Sequence, residues 1–577
     1  MCGIFGVVGF QFNKIESARE SLDTLKHRGP DQSGEYFDGR VYVGHRRLSI
    51  LDLSEHGRQP MISKTNDLVI SVNGEIYNFT ELKNLLKEKY EFVSTSDSEV
   101  ILHGYKEWGI KGLLKRIEGM YAISVYDKLK DRVFLVRDRV GIKPMYYAVF
   151  NDCIVWASEL KAIELYLKDY NLETDNSAIY DFLTYSYIPA PKTKYKNIYK
   201  LRPAYYLSVS TVDLSIKTNR YWEIKLTEQN FALPEAKEQL KYLIRKSVRE
   251  QMMSDVPIGF FLSGGLDSST VVGFASELSN DLKTFSIGFD VSEHSELKYA
   301  EKVSKIFHIQ NYSRVLSFTD ALELISSLNK WYDEPFGDLS ALPTFLVSEF
   351  AKESVTVILS GDGGDEIFGG YNWYDDRVVS REKNFNSKVL NNILSLIRNR
   401  YRFSLLGTVA DKLQLKYFLP KKELILRYNE ALLKNEKQRF RKELNIPEDY
   451  NDYWVIDKYS LIQTTKRKKL QYIDFNTYLP DDILTKVDRV SMAVSLEVRV
   501  PLLSTELVEF MFSLPESLIY YKGMLKGLMK ETVKEFLPDE IVYRKKKGFS
   551  IPYKKWVLDG FFDGKPFQKY LLDKMKS

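Results

Sequence analysis

The chain is poor in the residues that staple small secreted proteins or build zinc sites. It has two cysteines, Cys2 and Cys153, and six histidines in 577 residues. Two cysteines exclude a disulfide framework, and with so few histidines a structural zinc site is not expected. Such usage suits a reducing compartment, so a cytoplasmic protein is expected. An excess of one charge is also missing. Lys and Arg number 83 against 78 Asp and Glu, a net charge of +5. Over this length that gives no reason to expect a nucleic-acid partner. No apolar run approaches the ~18 residues of a membrane span. The opening MCGIFGVVGF lacks a basic leader and a small-residue cleavage site. Neither membrane association nor a signal peptide is expected.

What is present is globular. Hydrophobic residues at 44% and charged residues at 28% exclude a disordered, collagen-like or coiled-coil chain. Length alone allows about three to four domains of ~150 residues, but the patterning divides the chain in two. Up to about residue 200, short strand signals alternate with helical stretches. The strands are 41–45, 67–74, 121–127, 132–138 and 153–158; the helices are 79–90, with Thr80 as a candidate N-cap, and 96–109. This predicts a layered α+β domain. Residues 187–204, rich in Pro and Lys, read as a connection or surface loop, and the strand pair that follows either finishes the domain or leads into the next. From about 233 a long amphipathic helix precedes strand, glycine loop, helix and strand again, the pattern of a doubly wound α/β unit. The remainder is helix-rich. Its Lys- and Arg-dense stretch, 380–470, reads as solvated helix faces. Domains of 1–210 and 211–577 are expected.

The first chemical signal is Cys2. If Met1 is removed, Cys2 carries both a thiol and an α-amine. An α-amine titrates at about 7.7–8.0 and can serve as a built-in base. Polar clusters beside strands follow: HRGPD (27–31), HRRLSI (45–50), NGEIYN (73–78), SDSE (96–99) and RDRVGIKPMYY (137–147). With MCGIFGV they resemble the N-terminal-nucleophile glutaminase domain of the glutamine amidotransferases, the class that includes the asparagine synthetases. The resemblance implies that Cys2 attacks the side-chain amide of glutamine. Asn73 and Gly74 would form the oxyanion hole. Arg47, with the loop Leu48, Ser49, Ile50 and Leu51, would hold the substrate's α-carboxylate end. Glu75 and Asp97 would hold its polar groups, Asp97 the α-ammonium. Cys153, in an apolar strand, reads as structural.

The second signal is Ser263-Gly264-Gly265-Leu266-Asp267-Ser268-Ser269, after an apolar strand and before a helix. Glycines let backbone N–H groups approach an anion, and the helix N-terminus adds partial positive charge. This resembles the pyrophosphate loop of the PP-loop ATP pyrophosphatases, which cleave ATP between its α and β phosphates. Ser360-Gly361-Asp362-Gly363-Gly364-Asp365-Glu366 ends a later strand. Asp267 and Asp365 are candidate Mg²⁺ ligands, as hard oxygen donors. The resemblance places Asp362 near acyl-adenylate chemistry. It also places Leu262, Ile287, Ser360 and Gly361 around the nucleoside, and Lys526 and Lys546 on pyrophosphate and intermediate. The run Lys545–Lys547 leaves that last register open by one. Arg499, in LEVRVPLL, is a weaker candidate for the same centre.

The whole chain to about 550 thus resembles the glutamine-hydrolysing asparagine synthetases, cytoplasmic ligases of amino-acid biosynthesis. The implied fold is an N-terminal-nucleophile glutaminase domain of layered antiparallel sheets plus a doubly wound PP-loop domain with a helix-rich C-terminal part. ATP and Mg²⁺ are the implied cofactors; glutamine, ATP and aspartate are the implied substrates, with room for a homodimer. Two alternatives stay open. The acceptor could be another carboxylate, such as a uronic acid sugar in surface-polysaccharide synthesis. The chain could instead be a PP-loop tRNA-modifying enzyme.

Overall fold

The computed structural model describes residues 2–9, 14–289, 295–317, 323–375, 434–459 and 461–545. Twelve strands come first: β1 (Cys2–Val8), β2 (Gln32–Phe37), β3 (Val41–Arg47), β4 (Met61–Ile62), β5 (Leu68–Ile76), β6 (Gly119–Asp127), β7 (Arg132–Arg137), β8 (Tyr146–Val149), β9 (Ile154–Ala157), β10 (Ile198–Lys200), β11 (Tyr205–Ser210) and β12 (Ile216–Arg220). They form two six-stranded antiparallel sheets, ordered β10-β8-β9-β1-β3-β2 and β12-β11-β7-β6-β5-β4. The pair β11 and β12 therefore belongs to the second sheet. The sheets stack because one face of each is apolar. Ile4, Val43 and Trp156 of the first meet Val69, Ala122 and Leu135 of the second in one core.

Five further strands, β13 (Ile258–Phe261), β14 (Lys283–Phe289), β15 (Gln310–Leu316), β16 (Val357–Leu359) and β17 (Glu497–Arg499), make a parallel sheet in the order β15-β14-β13-β16-β17. Chain order runs outward from β13 in both directions. The switch point therefore lies between β13 and β16, and open α/β sheets bind ligands at the C-terminal ends of such strands. Leu48, Ile50, Met120 and Ile142 from the antiparallel part share a core with Phe260, Leu262, Leu359 and Leu502 of the parallel part. Buried ion pairs also join the two. Arg28, fully buried, donates to Glu159 at 2.9 Å and to Asp488 at 2.8 Å, and Arg489 lies 3.5 Å from Glu159. Two buried carboxylates facing one guanidinium satisfy it. Deleting one partner of such a group would cost about 3–5 kcal/mol.

Several local expectations are corrected. The first predicted helix is Phe79–Leu86, and Asn78, not Thr80, stands at its N-cap. The Asn78 side chain does not cap; it donates to the Arg116 carbonyl at 2.8 Å and accepts the Glu118 N–H at 2.9 Å. Residues 187–204 are not a surface loop. Ile188 and Thr193 are wholly buried and β10 pairs with β8, because the segment runs between the antiparallel and parallel parts, where the Ala190 N–H meets Asp481 at 2.9 Å. Within the basic stretch, 380–433 and 460 lie outside the described residues. Two members of the described remainder are buried rather than solvated. Lys468 donates to the Leu514 carbonyl at 2.8 Å and Arg467 to that of Tyr374 at 2.8 Å. The RDRVGIKP stretch is a structural turn. Asp138 accepts the N–H groups of Val140, Gly141, Ile142 and Lys143 at 2.6–3.1 Å.

Candidate functional site

Two centres are built on this frame. The first lies where β1, β3 and β5 meet. Cys2 begins β1 opposite Arg47 of β3, and the stacking of the sheets brings its main-chain N–H to Asn73 Oδ1 of β5 at 2.9 Å. Asn73 is wholly buried, and its Nδ2 has no hydrogen-bond partner among the described residues. A buried donor without an acceptor is costly, so this amide is poised for a ligand oxygen. Gly74 follows with φ +149, and a Cβ there would fall inside the Met120 carbonyl on β6; only glycine lets the strands close here. Burial pushes the Cys2 thiol up in pKa.

Charge is arranged on either side. Arg47, 4% exposed, is held by neutral acceptors: Gln32 at 2.7 Å and the carbonyls of Leu51 at 2.9 Å and Asp52 at 2.6 Å. It has no carboxylate partner among the described residues, so a buried cation awaits an anion. Its bonds shape the loop Leu48–Leu51, where the Ser49 N–H donates to Asp31 at 2.8 Å and Leu48 and Ile50 turn into the core. Beyond Gly74 the sign reverses. Asp97 takes the Ile76 N–H at 2.6 Å, and burial pushes its carboxyl up to about 6. Burial and the charges of Asp97 and Glu497 raise Glu75 well above the carboxylate range. A buried cation, an unpaired amide donor and two buried acids thus follow one another beside one thiol. The complement of that set is a zwitterion that also carries a carbonyl oxygen within reach of the thiol.

The second centre is a cavity of about 1050 Å³ at the β13–β16 switch point. Leu262, Ser263, Gly265, Asp267 and Ser268 reach it from the turn after β13, and Ile287 from β14. Ser360, Gly361, Asp362 and Asp365 reach it from the turn after β16. Gly264 does not; with φ +69 it packs against the helix Leu297–Ile306, where a Cβ would stand 2.5 Å from the Ala300 nitrogen. Gly265 is the N-cap of the helix Leu266–Ser276, whose free N–H groups face the cavity. Gly361 allows the two turns to touch, since a Cβ there would stand 2.7 Å from the Ser268 nitrogen. Ser360 Oγ donates to Asp362 at 2.8 Å.

Lys526 joins Asp267 and lies 2.7 Å from Asp365. Burial alone would lower this ammonium, but Asp267 first, then Asp365, hold it above the lysine range. Two carboxylates converging on one cation are the hard-oxygen pair that Mg²⁺ takes together with substrate phosphates. No cluster of three or more metal-type side chains occurs among the described residues, so phosphate oxygens and water would complete the shell. Lys546 lies outside the described residues.

Arg499 is corrected. It is not among the residues lining this cavity; its guanidinium points to the first centre and lies 3.5 Å from Glu75. Residues not picked out from sequence close the far wall. Lys486, buried, is 3.1 Å from Asp338 and 2.8 Å from Ser340 Oγ. Behind it Asp482, whose carboxyl burial and then Asp338 push well up, has Oδ1 without a hydrogen bond among the described residues. A π-helical turn, Leu479–Ile483, carries Asp482 inward, and such turns recur at functional sites. Two adjacent aspartates in an apolar run were the sequence signal for it.

The antiparallel and parallel parts match different family profiles: a glutamine amidotransferase domain over residues 1–222 and asparagine synthase over 239–565. The chain is 33% identical to asparagine synthetase (glutamine-hydrolyzing) 1 of Bacillus subtilis, over 96% of this chain and 88% of that protein. It is 36% identical to a putative asparagine synthetase (glutamine-hydrolyzing) 2 of Methanocaldococcus jannaschii, over 85% of this chain and 98% of that one. It is 30% identical to asparagine synthetase (glutamine-hydrolyzing) 3 of Bacillus subtilis, over 96% and 87%. Among the described residues no helix is long and apolar enough to cross a membrane. Matched nearly end to end by these relatives, the chain belongs to the glutamine-hydrolysing asparagine synthetase family.

Proposed function

We propose that the protein makes asparagine from aspartate, with glutamine as nitrogen donor and ATP as activator, in two domains, 1–210 and 211–577. The observation that carries the first half is the set of groups around Cys2: a buried cation, an amide donor with no acceptor among the described residues, and two buried acids. Arg47 takes the α-carboxylate of glutamine, Glu75 and Asp97 its α-ammonium and other polar groups, and Asn73 Nδ2 with the Gly74 N–H the oxygen of the side-chain amide. The raised Cys2 thiol needs a base, and removal of Met1 leaves an α-amine on the same residue. The α-amine takes the thiol proton, the thiolate attacks the amide carbon, negative charge gathers on the oxygen, and the amine passes the proton to the amide nitrogen as the C–N bond breaks, so that ammonia leaves with a thioester behind it. Water then releases glutamate. Asn73→Ala is expected to lower kcat for glutamate release by about 10²–10³-fold with a smaller change in KM, because the amide acts on charge that develops in the transition state. Steady-state glutamate release checks this.

In the second centre the aspartate side-chain carboxylate attacks the α-phosphorus of ATP and pyrophosphate leaves. Ser263, Gly265 and the helix N-terminus take the phosphates, with Lys526 against the leaving pyrophosphate. Mg²⁺, held by Asp267 and Asp365, would neutralise phosphate charge as a Lewis acid. Lys486 suits the α-carboxylate of the acceptor, and the acids beside it, Asp338 and Asp482, suit the α-ammonium. Ammonia, arriving through the shared apolar core, attacks the acyl carbon and expels AMP, and Asp362 accepts a proton. An interior route keeps ammonia from protonation in bulk water and keeps water from the adenylate.

A screen of carboxylate acceptors for AMP formation with glutamine tests the reading. Aspartate is expected to give the largest kcat/KM. AMP formation with a uronic acid sugar and none with aspartate would replace the acceptor but leave both centres assigned.

A further inference from the structure

β17 is the edge strand of the parallel sheet, and Arg499 closes it. The Arg499 carbonyl accepts the Ser360 N–H at 2.9 Å, so this residue's main chain carries the start of the nucleotide-cavity loop. The segment after it backs the same loop. A Cβ on Gly363 would overlap Leu503, and one on Gly364 would stand 3.0 Å from Leu502. Loop and segment are packed without slack, and a shift of one is a shift of the other.

The Arg499 side chain runs the opposite way. Its guanidinium, 1% exposed, donates to the carbonyls of Gln251 at 2.8 Å and Met253 at 2.6 Å and to Glu497 at 2.6 Å. That leaves Nη2, which makes no hydrogen bond among the described residues and faces Glu75 at 3.5 Å. Arg499 is the one side-chain cation ion-paired with Glu75 among the described residues. Glu75 directly follows Asn73 and Gly74 in β5. At 3.5 Å the contact lies at the outer edge of hydrogen-bond reach, where a few tenths of an ångström decide whether a bond forms.

We propose that Arg499 is a positioning residue that couples the two centres. Filling the nucleotide cavity moves Ser360 and the end of β17, and the guanidinium then sets where Glu75 stands in the glutamine pocket. Arg499 itself touches no substrate. The inference rests on reading the Cys2 pocket as a glutaminase, and it is independent of which carboxylate is the acceptor. Because coupling is reciprocal, glutamine tightens nucleotide binding by the same factor.

The test is glutamate release from glutamine by the full-length protein, with and without MgATP. It compares the wild type, Arg499→Lys, Arg499→Gln and the double variant Glu75→Gln with Arg499→Gln. The double variant removes both charges of the Glu75–Arg499 contact at once, and Arg499→Lys keeps a cation beside Glu497; together they guard against reading a loss of folding as a loss of coupling. In the wild type MgATP is expected to lower KM for glutamine by about fivefold or more, with a smaller change in kcat. Arg499→Gln and the double variant are expected to lose that response, and Arg499→Lys, which keeps the charge but not the planar fork, to retain part of it. A full MgATP response in Arg499→Gln or in the double variant overturns the coupling role. So does a wild type whose KM ignores MgATP. A wild type that releases no glutamate at all overturns the glutaminase reading, and the coupling with it.

Discussion

Replacing Cys2 by alanine is expected to abolish glutamine-dependent synthesis, by about 10⁴-fold or more, while synthesis from added ammonia continues. The separation follows from where Cys2 acts. Its side chain is one small group at the start of β1, but its main chain does the structural work: the N–H donates to Asn73 and the carbonyl accepts from Arg28 at 3.1 Å. Alanine keeps both bonds, so the buried pairs of Arg28 with Glu159 and Asp488 survive and the domains stay joined. Alanine is also small enough for Met1 to be removed, so the α-amine is present in both proteins. What disappears is the thiol alone. AMP formation with glutamine and with ammonium salt reads the two activities side by side. Loss of both would mean that the centres are not separate. Intact-protein mass adds a second check, since a mature protein that retains Met1 has no α-amine on Cys2 and the mechanism above would not hold.

The second large effect is expected at Asp267. Asp267→Asn should lower pyrophosphate release by about 10³-fold, the scale of several kcal/mol of lost charge stabilisation, and should raise the Mg²⁺ concentration needed for activity. Glutamate release measured without ATP should persist. The physical basis is charge counting within one buried cluster. Two carboxylates and one ammonium carry net charge −1, which a divalent cation and phosphates can balance; the amide leaves Lys526 paired with Asp365 alone. The Gly364 turn packs so closely on Asp267 that a Cβ there would stand 2.7 Å from its carboxyl carbon. Asparagine is nearly isosteric with aspartate, so that turn need not move. An unchanged rate of pyrophosphate release would remove Asp267 from the phosphate chemistry.

Much of the fold is legible in the sequence because its signals are local. A strand of alternating or continuous apolar residues, a glycine turn and a helix occupy a few adjacent positions, and the SGGLDSS turn sits between β13 and its helix where pattern places it. Failures occur where a distant contact overrides the local signal. Asn78 looks like an ordinary loop residue, but its amide is committed to Arg116 and Glu118. Residues 187–204 look polar and aperiodic, but the neighbouring domain buries them. Lys468 and Arg467 look solvated, but each has carbonyl acceptors inside the protein. Arg499 is the sharpest case. Its stretch resembles a segment of the synthetase centre, and its main chain does serve the nucleotide loop, but sequence does not say which domain lies against each face of the strand it forms.

Composition and motif order, by themselves, determined that this is a two-part chain with a thiol centre and a phosphate-loop centre, because the residues of each motif act within one turn of chain. Which charges meet was left to tertiary structure. Arg28 and Asp488 are 460 positions apart, Lys526 and Asp267 are 259 apart, and Arg499 finds Glu75 across the boundary between sheets. Such pairings follow no local period. Burial strips the charges of water, and the packing of two domains on one core selects the partners that replace it.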